Sequence, residues 1–130
     1  SNALVEFVDI YPSLCHLASL PLPDHLEGSS FVPLLEQPEQ CGKPAALSQY
    51  PRGKVMGRSM RTDRYRFTLW QKRGGAKETV AVELYDHEND PEENVNLAAQ
   101  PEHVALANRL SAELEQRWRD VHKVTERGNH

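Results

Sequence analysis

The middle of the chain alternates apolar and polar residues with a period of two, which is the pattern of strands that bury one face. It predicts a first strand over residues 45–50, a second over residues 55–62, and two further strands whose inward residues are Tyr65, Phe67 and Leu69, then Val80, Val82 and Leu84. Pro51 either ends the first strand or places it at the edge of a sheet, because proline cannot donate to a strand ladder. The turn after the second strand is predicted to use a side-chain hydrogen bond from Asp63.

A sheet with one apolar face needs a cover, and the end of the chain predicts one. Apolar residues recur there at spacings of three or four: Val104, Ala107, Leu110, Leu114, Trp118 and Val121. Pro101 stands where a proline belongs in the first turn of a helix. We therefore predict an α+β fold, in which an antiparallel sheet of about four strands is covered by one long C-terminal helix.

The chain before this sheet predicts a helical lead. Asp9 is expected to cap the first helix, which ends before Pro21 and Pro23. Ser30 is expected to cap a short turn of helix further along the chain. The apolar face of the first helix repeats at helical spacing and consists of Ile10, Leu14, Leu17 and Ala18.

These patterns divide the chain into three parts. Residues 1–3, Ser-Asn-Ala, are typical of what remains after a purification tag is cleaved, and we leave them out of the fold. Residues 4–40 form the helical lead, and a polar loop over residues 36–44 separates it from the second region, residues 41–130. The 130 residues are enough for one core.

The net charge and the lack of a long apolar run in the sequence argue against two classes of protein. The net charge of -4 argues against a dedicated nucleic-acid binder, and no apolar run approaches the roughly 20 residues that a membrane span needs. One segment, SQYPRGKVMGRSMRTDRYRFTLW at residues 48–70, is nevertheless basic, with six basic side chains and one acid. Such a segment could bind a polyanion, border an active site, or be a solvated hairpin.

Side chains with catalytic or metal-binding spacing are missing from the sequence. The six histidines stand at positions 16, 25, 87, 103, 122 and 130, with no pair at the spacing of a metal site. Cys15 and Cys41 form no metal or redox motif, although a disulfide between them stays open. The acidic run at residues 86–90 resembles the start of a calcium loop but lacks its later glycine and glutamate, so turn and capping carboxylates are the better interpretation. We predict no catalytic residue and no metal site.

Four segments, in order, resemble the sulfatase family. A helix-and-loop found late in sulfatases is similar to VEFVDIYPSLCHLASLPLP, and the segment that follows it in the family is similar to EGSSFVPLLEQP. The stretch before the terminal helix of sulfatases is similar to ELYDHENDPEENVNLA. SQYPR followed by MGRSMRTDRYRFTLW is similar to the corresponding segments of iduronate-2-sulfatase-like enzymes. Ser19 departs from the glycine usual in the family and Arg58 from an aromatic residue, which leaves the substrate class open.

The resemblance implies the C-terminal subdomain of an alkaline-phosphatase-like sulfatase that acts on a sulfated glycan or sugar. Such enzymes use calcium and a formylglycine made from the first residue of C/S-x-P-x-R, yet His16-Leu17 follows Cys15 and Gly42-Lys43 follows Cys41. The isolated chain is thus predicted to be inactive and to lack cofactors of its own. Its partner would be the missing N-terminal catalytic domain, which the lead would abut, and the parent protein would be periplasmic or secreted.

The basic segment then divides into two parts. Arg61, Arg64 and Arg66 are predicted to be solvated residues of a hairpin. Gln49, Tyr50 and Arg52 are the predicted substrate-binding residues, because a polar and aromatic cluster at a strand end is a common place for ligand contact and arginine binds carboxylate or sulfate bidentately. The alternative is a stand-alone anion or glycan-binding module, using Arg52 with Arg58 and Arg61.

Two further expectations concern packing. Trp70 and Trp118 are predicted to be packing residues rather than sugar platforms. A surface that packs on a catalytic domain would be exposed in this chain, so we expect self-association through Leu14, Leu17 and Leu20 of the lead.

Overall fold

The computed structural model describes the backbone of residues 1–75 and 77–127 and the side chains as far as residue 121. Its elements in chain order are a 3-10 turn at Phe7–Asp9, helix α1 at Ile10–Leu17, helix α2 at Val32–Glu36, strands β1 at Ala46–Arg52, β2 at Val55–Arg61, β3 at Tyr65–Lys72 and β4 at Thr79–Asp86, a second 3-10 turn at Pro101–His103, and helix α3 at Val104–Arg127. They fall into two compact units, Leu47–Gln116 and a second that combines Ser1–Ala46 with the chain from Arg117 onward. The predicted boundary near residue 40 stays a prediction.

The predicted antiparallel sheet of about four strands is confirmed, and its strand order is β1-β2-β3-β4. Met60 of β2 stands opposite Phe67 of β3, which in turn stands opposite Leu84 of β4. These three side chains are at most 1% exposed, so they are the centre of the buried face. Pro51 lies within β1 rather than after it, and β1 is an edge strand, where proline is tolerated.

The opposite face of the sheet carries Trp70. Its ring lies against Gly57 of the neighbouring strand, where an added Cβ would come within 2.8 Å of the ring. The indole Nε1–H donates to Glu83 Oε1 at 2.9 Å. Trp70 is thus a packing residue, as predicted, and glycine at position 57 leaves the room that this packing needs.

The turn between β2 and β3 uses a different residue from the one predicted. The Tyr65 backbone N–H donates to Thr62 Oγ1 at 2.9 Å, and the Thr62 N–H donates to the Tyr65 carbonyl at 2.8 Å. The prediction of a side-chain bond from Asp63 is wrong, because the threonine hydroxyl already bonds the backbone across the turn.

Helix α3 buries the centre of its predicted face. Ala107, Leu110 and Leu114 are at most 9% exposed, whereas Val104 is 47% exposed. Pro101 opens the 3-10 turn that precedes the helix rather than the helix itself. The buried apolar side chains of the unit Leu47–Gln116 thus come from one face of the sheet and one face of this helix.

Helix α1 of the lead is present, as predicted, and its apolar face is exposed, with Ile10 at 42% and both Leu14 and Leu17 at 59%. The expectation that these leucines are exposed in this chain is confirmed. The buried residues of this helix are Pro12, Ser13 and Cys15.

A buried polar cluster explains which side of α1 faces inward. Ser13 Oγ donates to the Asp9 carbonyl at 2.6 Å and accepts the Phe31 N–H at 2.9 Å. The Asp9 carboxylate accepts the N–H groups of Glu6 and Ser29, each at 2.8 Å. Asp9 has helical backbone angles and does not cap α1, so that prediction is wrong, since its carboxylate serves the preceding turn instead.

Two smaller features of the lead follow from local chemistry. Ser30 Oγ accepts the Val32 N–H at 3.2 Å, but the N-cap residue of the short helix α2 is Phe31, which forms no side-chain cap, so the predicted capping residue lies one position before the cap. Helix α1 ends with Ser19 at φ 55°, where the Leu20 N–H donates to the Cys15 carbonyl and the Ser19 N–H to the His16 carbonyl. This is a complete Schellman ending with serine in the position that favours glycine.

Candidate substrate-binding site

The predicted site lies at the end of the edge strand β1. Gln49, Tyr50 and Arg52 are all exposed, Tyr50 at 65%. Because β1 continues to Arg52, strand alternation places Tyr50 and Arg52 on one face and Gln49 on the other. A two-residue turn follows in which Gly53 takes φ 58°, a conformation that glycine adopts without steric cost.

None of these three side chains forms a hydrogen bond or ion pair with another residue in the part of the chain that the structure describes. The strand and its turn hold them in place while their polar atoms face solvent. Such groups are available to a ligand.

The other arginines of the basic segment are held by the protein. Arg64 donates from Nε to Asp86 Oδ1 at 2.9 Å and from Nη2 to Oδ2 at 2.7 Å, and its Nη1 pairs with Glu88 at 2.7 Å. Arg66 Nη1 donates to Glu93 at 2.9 Å, and Arg61 Nη1 donates to the carbonyl of Thr62. Arg64 and Arg66 are exposed, as predicted for a hairpin, and Arg61 is half-buried, but the prediction missed that each of the three also bonds a carboxylate or carbonyl of the protein.

The arginines of the alternative interpretation do not share a surface. Arg58 stands opposite Leu69, on the sheet face that buries Met60, whereas Arg61 lies on the other face of the same strand. The basic segment is therefore not a continuous anion-binding stripe.

Asp86 is the centre of a polar network in the sheet unit. Besides Arg64, it accepts the Glu88 N–H at 3.1 Å and Asn89 Nδ2–H at 2.8 Å. The hydrogen bond from Arg64, against the opposing effect of burial, holds the pKa of the Asp86 carboxyl well below its usual range. The same bond raises the pKa of Arg64, whose guanidinium also lies 5.0 Å from the centre of the Tyr65 ring.

The loop after Asp86 is closed by further carboxylates. Asp90 accepts the Val95 N–H at 2.9 Å and Asn94 Nδ2–H at 3.0 Å, and hydrogen bonds from the backbone of these residues lower the pKa of Asp90. Glu93, at φ 57°, joins Arg66 to His87 Nε2, which lies 2.5 Å from Glu93 Oε1. The interpretation of this acidic run as turn and capping carboxylates agrees with these contacts.

Asn96 completes the edge of β4. Its Oδ1 accepts the Leu84 N–H and its Nδ2–H donates to the Val82 carbonyl, each at 3.0 Å. The side-chain amide takes the place of a neighbouring strand at these two positions. Sequence reasoning missed this role, since an asparagine in a polar loop has no distinctive spacing.

A second concave region lies within the lead. A cavity of about 280 Å³ is lined by polar groups of Asp9, Ser29, Ser30 and Lys43, among others. Lys43 forms ion pairs with Asp9 at 2.7 Å and with Glu6. Burial opposes the charge of Lys43, but the hydrogen bonds to Asp9 and Glu6 outweigh it and raise the pKa of Lys43. The positive charge of Lys43 is therefore paired with carboxylates of the lead.

The cysteines of the described residues are free thiols. Cys15 is buried and Cys41 exposed, and both are free thiols, so the disulfide left open by the sequence is not formed. No group of three His, Cys, Asp or Glu side chains within residues 1–75 and 77–121 could hold a metal ion. No helix in the described part of the chain is long and apolar enough to cross a membrane.

Comparison with known proteins identifies the family. The family model of the N-sulphoglucosamine sulphohydrolase C-terminal region matches residues 1–120. The chain belongs to this family. The resemblance to sulfatases drawn from four short segments is thereby confirmed, and with it the α+β subdomain of an alkaline-phosphatase-like fold.

Individual relatives are longer than this chain. It is 30% identical to iduronate 2-sulfatase of Mus musculus over 82% of its own length and 27% of the relative's. It is 32% identical to a Delta 4,5-hexuronate-2-O-sulfatase of Bacteroides thetaiotaomicron, over 74% of the chain and 20% of the relative. A solved structure named as a sulfatase, from the same bacterium, superposes with a TM-score of 0.70 and 29% identity over 94% of the chain and 26% of that structure. The chain thus spans 20–27% of the length of these relatives.

Proposed function

We propose that this chain is the C-terminal domain of a larger sulfatase and that it helps to bind a sulfated sugar without carrying out the hydrolysis. Family membership supports the sulfatase origin. The observation that carries the binding role is the contrast between Arg52 and its neighbours. Arg61, Arg64 and Arg66 are bonded to the protein, whereas Arg52 is exposed and its side chain forms no hydrogen bond or ion pair among the described residues.

The catalytic centre would belong to the rest of the enzyme. Neither thiol begins C-x-P-x-R, so neither Cys15 nor Cys41 fits a formylglycine, and the described carboxylates do not fit a calcium site. We propose that an N-terminal catalytic domain supplies both groups. No hydrolytic step is assigned to this chain.

Arg52 and Tyr50 would border the cleft of the intact enzyme. A guanidinium donates two parallel hydrogen bonds to a carboxylate or a sulfate, a geometry that lysine does not reproduce. An exposed tyrosine on the same strand face offers apolar contact and a hydroxyl. The substrate group we propose for this pair is the uronate of the sulfated sugar or of the sugar next to it.

Arg52→Ala in the intact sulfatase tests this role. Loss of a charge-assisted bond made in both the ground state and the transition state raises KM and lowers kcat/KM about 10- to 100-fold, with kcat little changed. Arg109→Ala, which removes an exposed arginine from helix α3, is the matched control and leaves kcat/KM unchanged. Arg52→Lys recovers only part of the loss.

Two further variants define the extent of the site. Tyr50→Ala is expected to raise KM together with Arg52→Ala, because the two side chains share a strand face. Gln49→Ala has a comparable effect only if the site wraps around the strand edge. Steady-state kinetics in which Arg52→Ala and Tyr50→Ala both match the wild type would remove the binding role.

A further inference from the structure

One end of the sheet is basic. It consists of the turn between β1 and β2 and the start of the loop between β3 and β4. Residues 52–54 and 72–75, which we call the basic end, contain four basic side chains and no acid. Lys72 pairs with Glu78 at 2.7 Å. Within the part of the chain that the structure describes, the other three cations are exposed and form no ion pair: Arg52, Lys54 and Arg73.

The other end of the sheet has exposed arginines too, but carboxylates bind them. Residues 86–93 contain five acids and no lysine or arginine. Arg64 binds Asp86 there, and Arg66 binds Glu93. An anion that approaches the protein therefore meets paired charges at this end and cations without a carboxylate partner at the basic end. Clustered exposed cations attract anions over several ångströms in solution.

Arg73 holds the two parts of the basic end together. Its backbone N–H donates to the Lys54 carbonyl at 2.9 Å, and its Nη1 donates to the Gly53 carbonyl at 3.4 Å. The turn that carries Lys54 therefore rests against the end of β3. Because neighbouring strands lie about 4.8 Å apart, the cations from Arg52 on β1 to Arg73 after β3 span about 10 Å.

Two separate anionic groups fit such a row better than one. A guanidinium binds a single carboxylate or sulfate through two parallel hydrogen bonds, so the group at Arg52 needs no second cation. The ammonium of Lys54 is a point charge on a flexible stem and binds an anion in many orientations. Sulfated glycans that contain uronates carry carboxylates and sulfates on successive sugars, which supplies the second anion.

We propose that Lys54 and Arg73 bind a second anionic group of the substrate, a sulfate or carboxylate on the sugar that follows the one at Arg52. This inference rests on the proposed function. It makes the substrate a sulfated oligosaccharide rather than a single sulfated sugar. It also makes Lys54 a residue that selects for the length of the glycan.

The same charges do not fit a nucleic acid. Such a polyanion is bound through an extended basic surface, in general on a domain of positive net charge. This chain has a net charge of -4, and its basic end is a short row of cations at one end of the sheet. An anionic glycan of a few sugars matches the length of this row.

The test compares two substrate lengths in the intact sulfatase. KM and kcat are measured for a sulfated, uronate-containing disaccharide and for the tetrasaccharide that extends it. Lys54→Ala is expected to raise KM for the tetrasaccharide about 2- to 5-fold with kcat unchanged, because it removes one exposed ion pair made in both the ground state and the transition state. KM for the disaccharide stays at the wild-type value.

Further variants show whether the effect comes from the charge. Lys54→Arg keeps the cation and restores the KM of the tetrasaccharide. Arg73→Ala added to Lys54→Ala increases the effect on the tetrasaccharide to about 10-fold. Arg109→Ala, which removes an exposed cation of helix α3, changes neither KM. In about 1 M salt, where the Debye length is about 3 Å, the wild type and Lys54→Ala have the same KM for the tetrasaccharide.

Contrary outcomes are distinguishable. An unchanged tetrasaccharide KM in Lys54→Ala overturns the inference, and a raised KM in Arg52→Ala then leaves the proposed function intact. An equal rise of KM for both lengths also overturns it, since Lys54 then serves the reacting sugar. An oligodeoxynucleotide of equal charge that competes as strongly as the tetrasaccharide assigns the basic end to polyanions in general and overturns it as well. Calorimetric binding of the tetrasaccharide that depends on Lys54, in an intact protein without sulfatase activity, supports the glycan site and removes the proposed function.

Discussion

The sheet and the lead both carry apolar residues at the spacing of their secondary structure, but only the sheet buries them. Leu84 of β4 is completely buried, whereas Leu14 of helix α1 is 59% exposed. In the sheet unit, buried residues of α3 accompany the apolar face of the strands; in the lead, a polar cluster around Asp9 and Ser13 occupies the inner side of the helix. A periodic pattern therefore tells which side of an element is apolar and does not tell what covers it.

The largest expected loss of stability comes from Leu84, and the same substitution at Leu14 is the comparison. Leu84→Ala removes a completely buried side chain and lowers the free energy of unfolding by about 2–5 kcal/mol. Leu14→Ala in the isolated chain changes it by about 0.5 kcal/mol or less, since alanine keeps the helix and little burial is lost. Urea unfolding of both variants measures the difference, and equal losses would contradict the comparison.

A smaller effect tests the ion pair of the sheet unit. Asp86→Asn removes the charge that binds Arg64 and lowers the free energy of unfolding at neutral pH by about 1–2 kcal/mol; solvent at the 45% exposed Arg64 side chain keeps the loss modest. Asp86→Asn retains the size of the side chain, so urea unfolding of this variant reports on charge and hydrogen bonding rather than on packing, and a variant as stable as the wild type would contradict the role of the ion pair.

The pH dependence of the same group has a definite sign. Because folding lowers the pKa of Asp86, the unfolded chain binds more protons in acid than the folded one. Its contribution is fully present above the ordinary pKa of about 3.9 and is lost as the pH falls below it towards the folded value. Urea midpoints should fall from about pH 5 downward, less steeply in Asp86→Asn. Some pH dependence of the urea midpoint remains in Asp86→Asn, because folding also lowers the pKa of Asp90.

The smallest effect is a gain and concerns the lead. Ser19 has φ 55° at the end of helix α1, so Ser19→Gly relieves a left-handed conformation and raises the free energy of unfolding by about 0.5–1 kcal/mol. Ala18→Gly is the control, because Ala18 has φ -87° and gains nothing from glycine; it is expected to lower stability. A loss from both variants would rule out relief of strain at Ser19.

The inward face of each strand was predictable because it follows from the alternation of neighbouring residues in the sequence. Period-two alternation places Phe67 and Leu84 on the inward face, and the structure pairs them. The inner side of α1 was not predictable, because it depends on Lys43 reaching Asp9 across 34 positions. The bonding partners of the hairpin arginines were not predictable for the same reason, since Arg64 and Asp86 are 22 residues apart.

The candidate site was partly predictable. A strand end with Gln49, Tyr50 and Arg52 was located from the sequence, and all three are exposed. The difference in availability between Arg52 and the other arginines needed the structure, because a basic residue has the same appearance in a sequence whether it faces solvent or a carboxylate. Their role in binding substrate stays a prediction.

Sulfate release from a sulfated, uronate-containing disaccharide, measured side by side for the 130-residue chain and the intact protein, tests the central claim most directly. The account predicts turnover by the intact protein and none above the buffer blank for the isolated chain. Turnover that remains with the isolated chain through repeated purification, or an intact protein that hydrolyses no sulfate ester, would contradict it.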